Sequence, residues 1–136
     1  MDCKLKFNSY VVNNIEFKNN MNFSGGSTKI DFDIDSELEF SDKNNFILGL
    51  QVEVFRNAEV NNYPFNFKVE VLGMFEITAD SEEEKMKFAE KNAVAILFPY
   101  VRALITTFTS ATNVQPIILP AINVAKYVET KKKVKE

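Results

Sequence analysis

The sequence predicts an α+β domain: a four-stranded antiparallel sheet followed by a long kinked helix and a short C-terminal helix. Three observations carry this. The first half of the chain alternates apolar and polar residues in four runs separated by turn-forming stretches. Ser81, Glu82, Glu83 and Glu84 then form a helix-start signature. Beyond them Ala93, Ile96, Leu97, Tyr100, Val101, Leu104, Ile105 and Phe108 recur at spacings of three and four, so one broad stripe can bury against a sheet. Strands first and helices after is the order of helices packed on an antiparallel sheet.

The first strand starts at residue 4, with Leu5 and Phe7 on one face. The phase shifts at Asn8 and Ser9, which turns Tyr10 and Val12 inward and predicts a β-bulge. Ile15 and Phe17 continue the extended run or begin a bend. Residues 19–27 are polar and contain Gly25-Gly26, a loop. The second strand is expected over 28–40, with Ile30, Phe32 and Ile34 on one face and Asp31, Asp33 and Asp35 on the other. A hairpin loop over 42–45 leads to the third strand, 46–55, whose apolar density suits a central position. Residues 57–64 turn the chain into the fourth strand, 65–77, with Phe65, Phe67, Val69 and Val71 on one face. Gly73 inside it marks a bulge or a close backbone approach. Pro99 lies inside the helical stripe and predicts a kink or restart near Leu97. The β-branched run after Ile105 favours the helix end. Residues 116–120 are extended between two prolines, and Asn123 can cap the last helix.

At 136 residues the chain reads as one domain, residues 1–130, with a basic tail at 131–136. Those last six residues hold four lysines, Val134 and one glutamate, so the body is more acidic than the overall charge of −3. Lysines at a helix end suit its dipole; the alternative is a docking tail for an acidic partner. An acidic body argues against nucleic acid as the main ligand. Thirteen Phe and no Trp ask for either a core or an apolar partner. Cys3 is alone, so no disulfide framework exists. Neither a signal peptide nor an apolar segment long enough to cross a bilayer is read, and the default location is cytoplasmic.

Catalysis finds little support. The chain has no histidine, which removes triad chemistry and imidazole metal sites. Cys3 has no identifiable base partner. Gly25-Gly26 lacks the lysine and the helix that a phosphate loop needs. Asp31, Asp33 and Asp35 invite a calcium reading, but the glycine and closing glutamate of such a loop are missing. A solvated sheet face explains them better. No catalytic residue, metal ligand or cofactor is expected, and recognition is left as the function.

The stretch Ile96-Leu97-Phe98-Pro99-Tyr100, with Arg102 and Ile105 behind it, resembles the helix of the SecB protein-export chaperone family. Ile117, Leu119, Pro120, Ile122 and Asn123 resemble the turn that follows it in that family, and residues 29–33 and 73–75 give a weaker upstream match. The resemblance implies a dimer-of-dimers homotetramer that binds unfolded or slowly folding preproteins in an apolar groove. It assigns Ile30, Phe32, Ile34, Phe65, Ile122, Val124, Tyr127 and Val128 to the groove. Phe67, Val69, Val71, Phe98, Tyr100 and Ile105 are expected in the core or at subunit contacts. The family docks the translocase motor on acidic residues of its outer sheet face. The corresponding positions here are Asn14, Lys18 and Lys68, so that docking is in doubt and a dedicated client, such as an antitoxin, stays open. So does a binding protein for a small apolar ligand.

Overall fold

A computed structural model of the chain describes residues 3–135, with side chains up to 132. Four strands form one antiparallel sheet: β1 (Lys4–Asn19), β2 (Phe32–Phe40), β3 (Asn45–Val54) and β4 (Phe65–Thr78). Their order is β1-β4-β3-β2, so the two strands densest in apolar residues are central. A single-turn helix, α1 (Ala58–Asn61), joins β3 to β4. The long helix α2 (Glu82–Ala111) covers one face, and α3 (Val124–Lys135) lies against α2 and the edge strand β2.

β1 is one continuous strand because it absorbs two register shifts, one between Phe7 and Ser9 and one between Val12 and Asn14. The first is the bulge the sequence predicts. The second restores Ile15 and Phe17 to the face carrying Leu5 and Phe7. β2 starts at Phe32 rather than residue 28. Pairing is not lost abruptly, since the Phe55 amide donates to the Asp31 carbonyl at 2.8 Å. The β2–β3 turn is closed by Asp42, whose carboxylate accepts from the amides of Asn44 and Asn45 at 2.8 and 2.9 Å.

The core lies between the sheet and α2. Phe65, Phe67, Val69, Val71, Phe75 and Ile77 of β4 and Phe46, Leu48, Leu50, Val52 and Val54 of β3 all face it and are buried. From α2 come Ala89, Ala93, Val94, Leu97, Phe98, Val101 and Ile105. Gly73 makes no bulge. A Cβ there would fall 2.8 Å from Phe75 Cε1 and 3.1 Å from Leu97 Cδ2, so the glycine marks a close approach.

Ser81 caps α2 by accepting from the Glu84 amide at 3.1 Å. The helix does not restart at Pro99; it is unbroken to Ala111. Pro99 and Ala95 are both exposed, so water can satisfy the Ala95 carbonyl that the proline leaves without a donor. By length and composition α2 is apolar enough to cross a bilayer, contrary to the expectation from sequence. Here its apolar stripe lines the domain core.

After α2 the chain runs back without helix or strand to Asn123, and two threonines hold it. Thr106 Oγ1 donates to the Ile117 carbonyl at 2.7 Å, and the Ile117 amide donates to Thr109 Oγ1 at 3.0 Å. Thr109 is fully buried and itself donates to the Ile105 carbonyl at 2.8 Å. Thr109→Val keeps the shape but strands the Ile117 amide. It should cost about 1–3 kcal/mol in urea unfolding; a loss within error would show that the clip carries no stability.

Candidate functional site

A concavity of about 630 Å³ lies where β1 ends and the post-α2 segment passes. Phe23, Ile30, Phe55 and Phe65 line it together with Pro64, Pro116 and Ile117. A shallower trough of about 530 Å³ is lined by Phe32, Asp33, Ile122, Asn123, Lys126, Tyr127, Thr130 and Lys131. Successive parts of the same two stretches of chain contribute to them, residues 19–30 and 114–117 to the first and residues 32–33 and 122–131 to the second. Together the two concavities are called the trough.

Several local devices shape its walls. Asn20 is buried and donates to the carbonyls of Ala58 and Tyr63 at 3.2 and 2.9 Å, while its oxygen accepts from the Asn22 amide. These bonds pin the polar loop after β1, whose Gly25 and Gly26 take left-handed angles. Phe55 also has a positive φ of 58°, uncommon for a bulky residue. Its ring packs on Tyr63 and Phe65, with centroids 4.9 and 5.2 Å away, at the trough floor. Asn123 caps α3 by accepting from the Lys126 amide at 3.0 Å.

The structure divides the groove residues expected from sequence. Ile30 is exposed, Phe32, Ile122 and Tyr127 are half-buried, and these four line the trough. Ile34, Phe65, Val124 and Val128 are buried in the core cluster, with Phe65 bordering the larger concavity from beneath. Alternation puts Ile34 and Phe65 on the face that α2 and α3 cover, and Val124 and Val128 form the inner face of α3. As placed, they offer a client almost no surface. Of the residues assigned to core or subunit contact, Phe67, Val69, Val71, Phe98 and Ile105 are buried within the single chain. Tyr100 is 45% exposed and lies beside Tyr10 and Phe7, with centroids 5.2 and 5.4 Å away. The sequence reading missed Phe23, Phe55, Pro64, Val114 and Pro116 in the trough wall. Only Pro116 carried a signal, as half of the proline bracket.

The Asp31-Asp33-Asp35 series is not a solvated face. Lys131 Nζ lies 2.7 Å from carboxylate oxygens of both Asp33 and Asp35 and donates to the Ile34 carbonyl at 3.2 Å. The Tyr127 hydroxyl donates to Asp33 at 3.0 Å, and Arg56 lies 3.5 Å from it. Lys132 pairs with Glu90 of α2. Residues 131 and 132 therefore continue α3 and are tied to the body; residue 136 lies outside the described residues.

These anchors matter because the rest of the α3 seat is slight. Among its residues with described side chains, Val124, Ala125 and Val128 are buried, and full burial of a valine contributes about 1.5–3 kcal/mol. Ordering each residue costs about 1–2 kcal/mol of backbone entropy, and so short a helix is marginal alone. Partly exposed ion pairs are worth up to about 1 kcal/mol each, which is enough to tip such a balance.

On the uncovered sheet face, Asn14, Lys18 and Lys68 are exposed at their expected positions. That face is nevertheless not without acids: by alternation Glu16, Glu53, Glu70 and Glu76 lie on it. Hydrogen bonds from Gln51 and Asn13 hold Glu70 below the usual carboxylate range. At Asp33 burial pushes the pKa up, but hydrogen bonds from Lys131 and Tyr127 and the charges of Lys131 and Arg56 outweigh it, leaving the group lowered. Lys131 mirrors this: burial pulls it down, and Asp33 and Asp35 more than restore it.

The sign follows. Carboxylates with depressed pKa stabilise the fold above their unfolded value, about 3.9 for Asp, and lose that contribution as pH falls through the folded value. The raised Lys131 contributes below its unfolded value and is lost only as pH rises through its folded one, above the ordinary lysine range. Without histidine, thermal stability should be flat from about pH 6 to 8 and fall below about pH 4. Asp33→Asn should flatten the acid limb in a pH series of melting curves; a midpoint sloping steeply through neutrality would contradict this.

The family model described as preprotein translocase subunit SecB matches residues 7–134. An uncharacterised protein of Methanocaldococcus jannaschii is 39% identical over 98% of this chain and 88% of its own length. The protein-export protein SecB of Orientia tsutsugamushi (strain Boryong) is 30% identical over 74% of this chain, an alignment spanning 61% of that protein. Among solved structures, a SecB-like chaperone of Mycobacterium tuberculosis, in complex with a ChAD peptide from the HigA1 antitoxin, superposes with a TM-score of 0.67. It is 12% identical, and the match covers 87% of both chains. A protein of unknown function from Streptococcus agalactiae gives 0.57 at 16% identity, over 88% of this chain and 99% of that one. At such identities the two structures speak for the fold. The family match spans nearly the whole sequence, and the chain belongs to the SecB family.

Proposed function

We propose that this protein is a holdase chaperone. It binds unfolded or slowly folding polypeptides along the trough and keeps them competent for export. The carrying observation is the trough itself: an apolar channel walled by Phe23, Ile30, Phe32, Pro116, Ile122 and Tyr127, left open beside a closely packed core. Apolar side chains exclude water without demanding fixed hydrogen bonds, which suits clients of varied sequence.

Each trough offers modest affinity, so holding a long chain calls for several subsites acting together. A homotetramer, a dimer of dimers in the cytoplasm, would supply them. The exposed Tyr10, Val12 and Tyr100 at the β1 side give each copy an apolar patch for that association. A dedicated client is the second reading. It is favoured by the structural neighbour of M. tuberculosis, whose bound peptide comes from an antitoxin.

Light scattering on a sizing column tests this. An oligomer should shift to a larger stoichiometric complex with a reduced, slowly refolding polypeptide and ignore its folded form. Ile30→Asp and Phe32→Asp should weaken capture at least about tenfold, the equivalent of about 1.4 kcal/mol, without dissociating the oligomer. Ile47→Asp, on the uncovered sheet face, should leave capture unchanged. A protein that never retains unfolded chain would sink the reading, and one that retains only a single natural client would favour the dedicated form.

A further inference from the structure

Three residues expected in the groove, Ile34, Val124 and Val128, are shut away, and the element that shuts them in is α3. Its seat differs from that of a close-packed core helix. Clefts run along both flanks: the trough against β2, and a second groove of about 460 Å³ between α2 and α3, lined by Met86, Val94, Ala125 and Val128 together with five charged residues.

The bonds that hold α3 are also unevenly placed. At its N-terminal end a segment without helix or strand leads in, hydrogen-bonded to α2 at Ile117 and anchored in the core by Leu119. Further along, among the described side chains, the hold is polar: Lys131 on Asp33 and Asp35, Tyr127 on Asp33, and Lys132 on Glu90. β2 is an edge strand, and alternation puts Asp33 and Asp35 on its outer face, so Lys131 reaches round the sheet edge to grip them. A hinge at one end and an ionic grip at the other is the layout of a flap.

We propose that α3 is a lid clasped shut by Lys131 on Asp33 and Asp35 and by Lys132 on Glu90, and that its release opens the buried half of the trough to client. The proposal rests on the holdase reading above for what enters; the lid itself does not. Closed, the trough offers Ile30, Phe32, Ile122 and Tyr127. Open, it adds Ile34, Val94, Val124 and Val128. The half-exposed clasp responds to salt and to competing charges, whereas the apolar contacts beneath it do not.

The test compares the wild-type chain with a Lys131→Met/Lys132→Met variant, which keeps the aliphatic stems and removes the charges. Two readouts need no client: binding of the neutral dye Nile red, and hydrogen–deuterium exchange of amides 124–132 with β3 amides as the control for global folding. A lid predicts dye binding raised at least threefold and α3 exchange at least tenfold faster, with β3 unchanged. In the wild type, about 1 M sodium chloride, which shortens the Debye length to about 3 Å, should reproduce both changes, and it should add little to the variant. Unchanged dye binding or unchanged α3 exchange would overturn the proposal. Capture of a reduced, unfolded polypeptide separates the two ideas. If it tightens in the variant, lid and holdase stand together. If both proteins capture it equally, α3 is no gate. If neither captures it while dye and exchange respond, the lid stands and the holdase reading fails.

Discussion

The contact on which the rest of this structure depends is the close seating of α2 on the centre of the sheet. Gly73 lets Leu97 and the Phe75 ring approach β4, and Ala89 and Ala93 are fully buried. With α2 down on β4 and β3, Thr106 and Thr109 come to the position where they clip Ile117. That clip starts the second wall of the trough. α3 is then laid along the sheet edge at β2. Each later feature inherits its position from this packing.

The trough survives because nothing in the sheet can fill it. β2 begins only at Phe32, so the residues before it are extended but leave the ladder after the Phe55–Asp31 bond. The post-α2 segment, bracketed by Pro116 and Pro120, cannot supply a continuous row of amide donors to close the gap as a fifth strand. Ile117 and Leu119 turn into the core while Ile118 stays 67% exposed. An apolar channel between two backbone stretches is the consequence, and apolar surface left open in this way is a place for a partner.

Much of this was legible in the residues because it is local. Period-two alternation gave the four strands, the slip at Asn8 gave the first bulge, and Ser81 and Asn123 announced the two helix starts. The ILFPY helix and the turn after it pointed to the family. What was not legible depends on which faces meet. The spacing of Val124, Tyr127 and Val128 defines an inner face of α3 but not whether that face meets client or core; the core takes the two valines and leaves Tyr127 at the trough. The carboxylates of Asp33 and Asp35 alternate outward, as a solvated face would; only the arrival of Lys131 from far along the chain makes them a clasp. The left-handed Phe55 has no sequence signal at all, since its neighbours would suit a continuing strand.

The claim that everything serves is that an extended client lies along this trough and not on the uncovered sheet face. The most direct measurement places a photo-crosslinking amino acid in turn at Ile30, Ile122 and Ile47, and irradiates each protein with a reduced, slowly refolding polypeptide. The account predicts covalent capture from positions 30 and 122 and only background from 47. Capture concentrated at 47, with none from the trough, would contradict it.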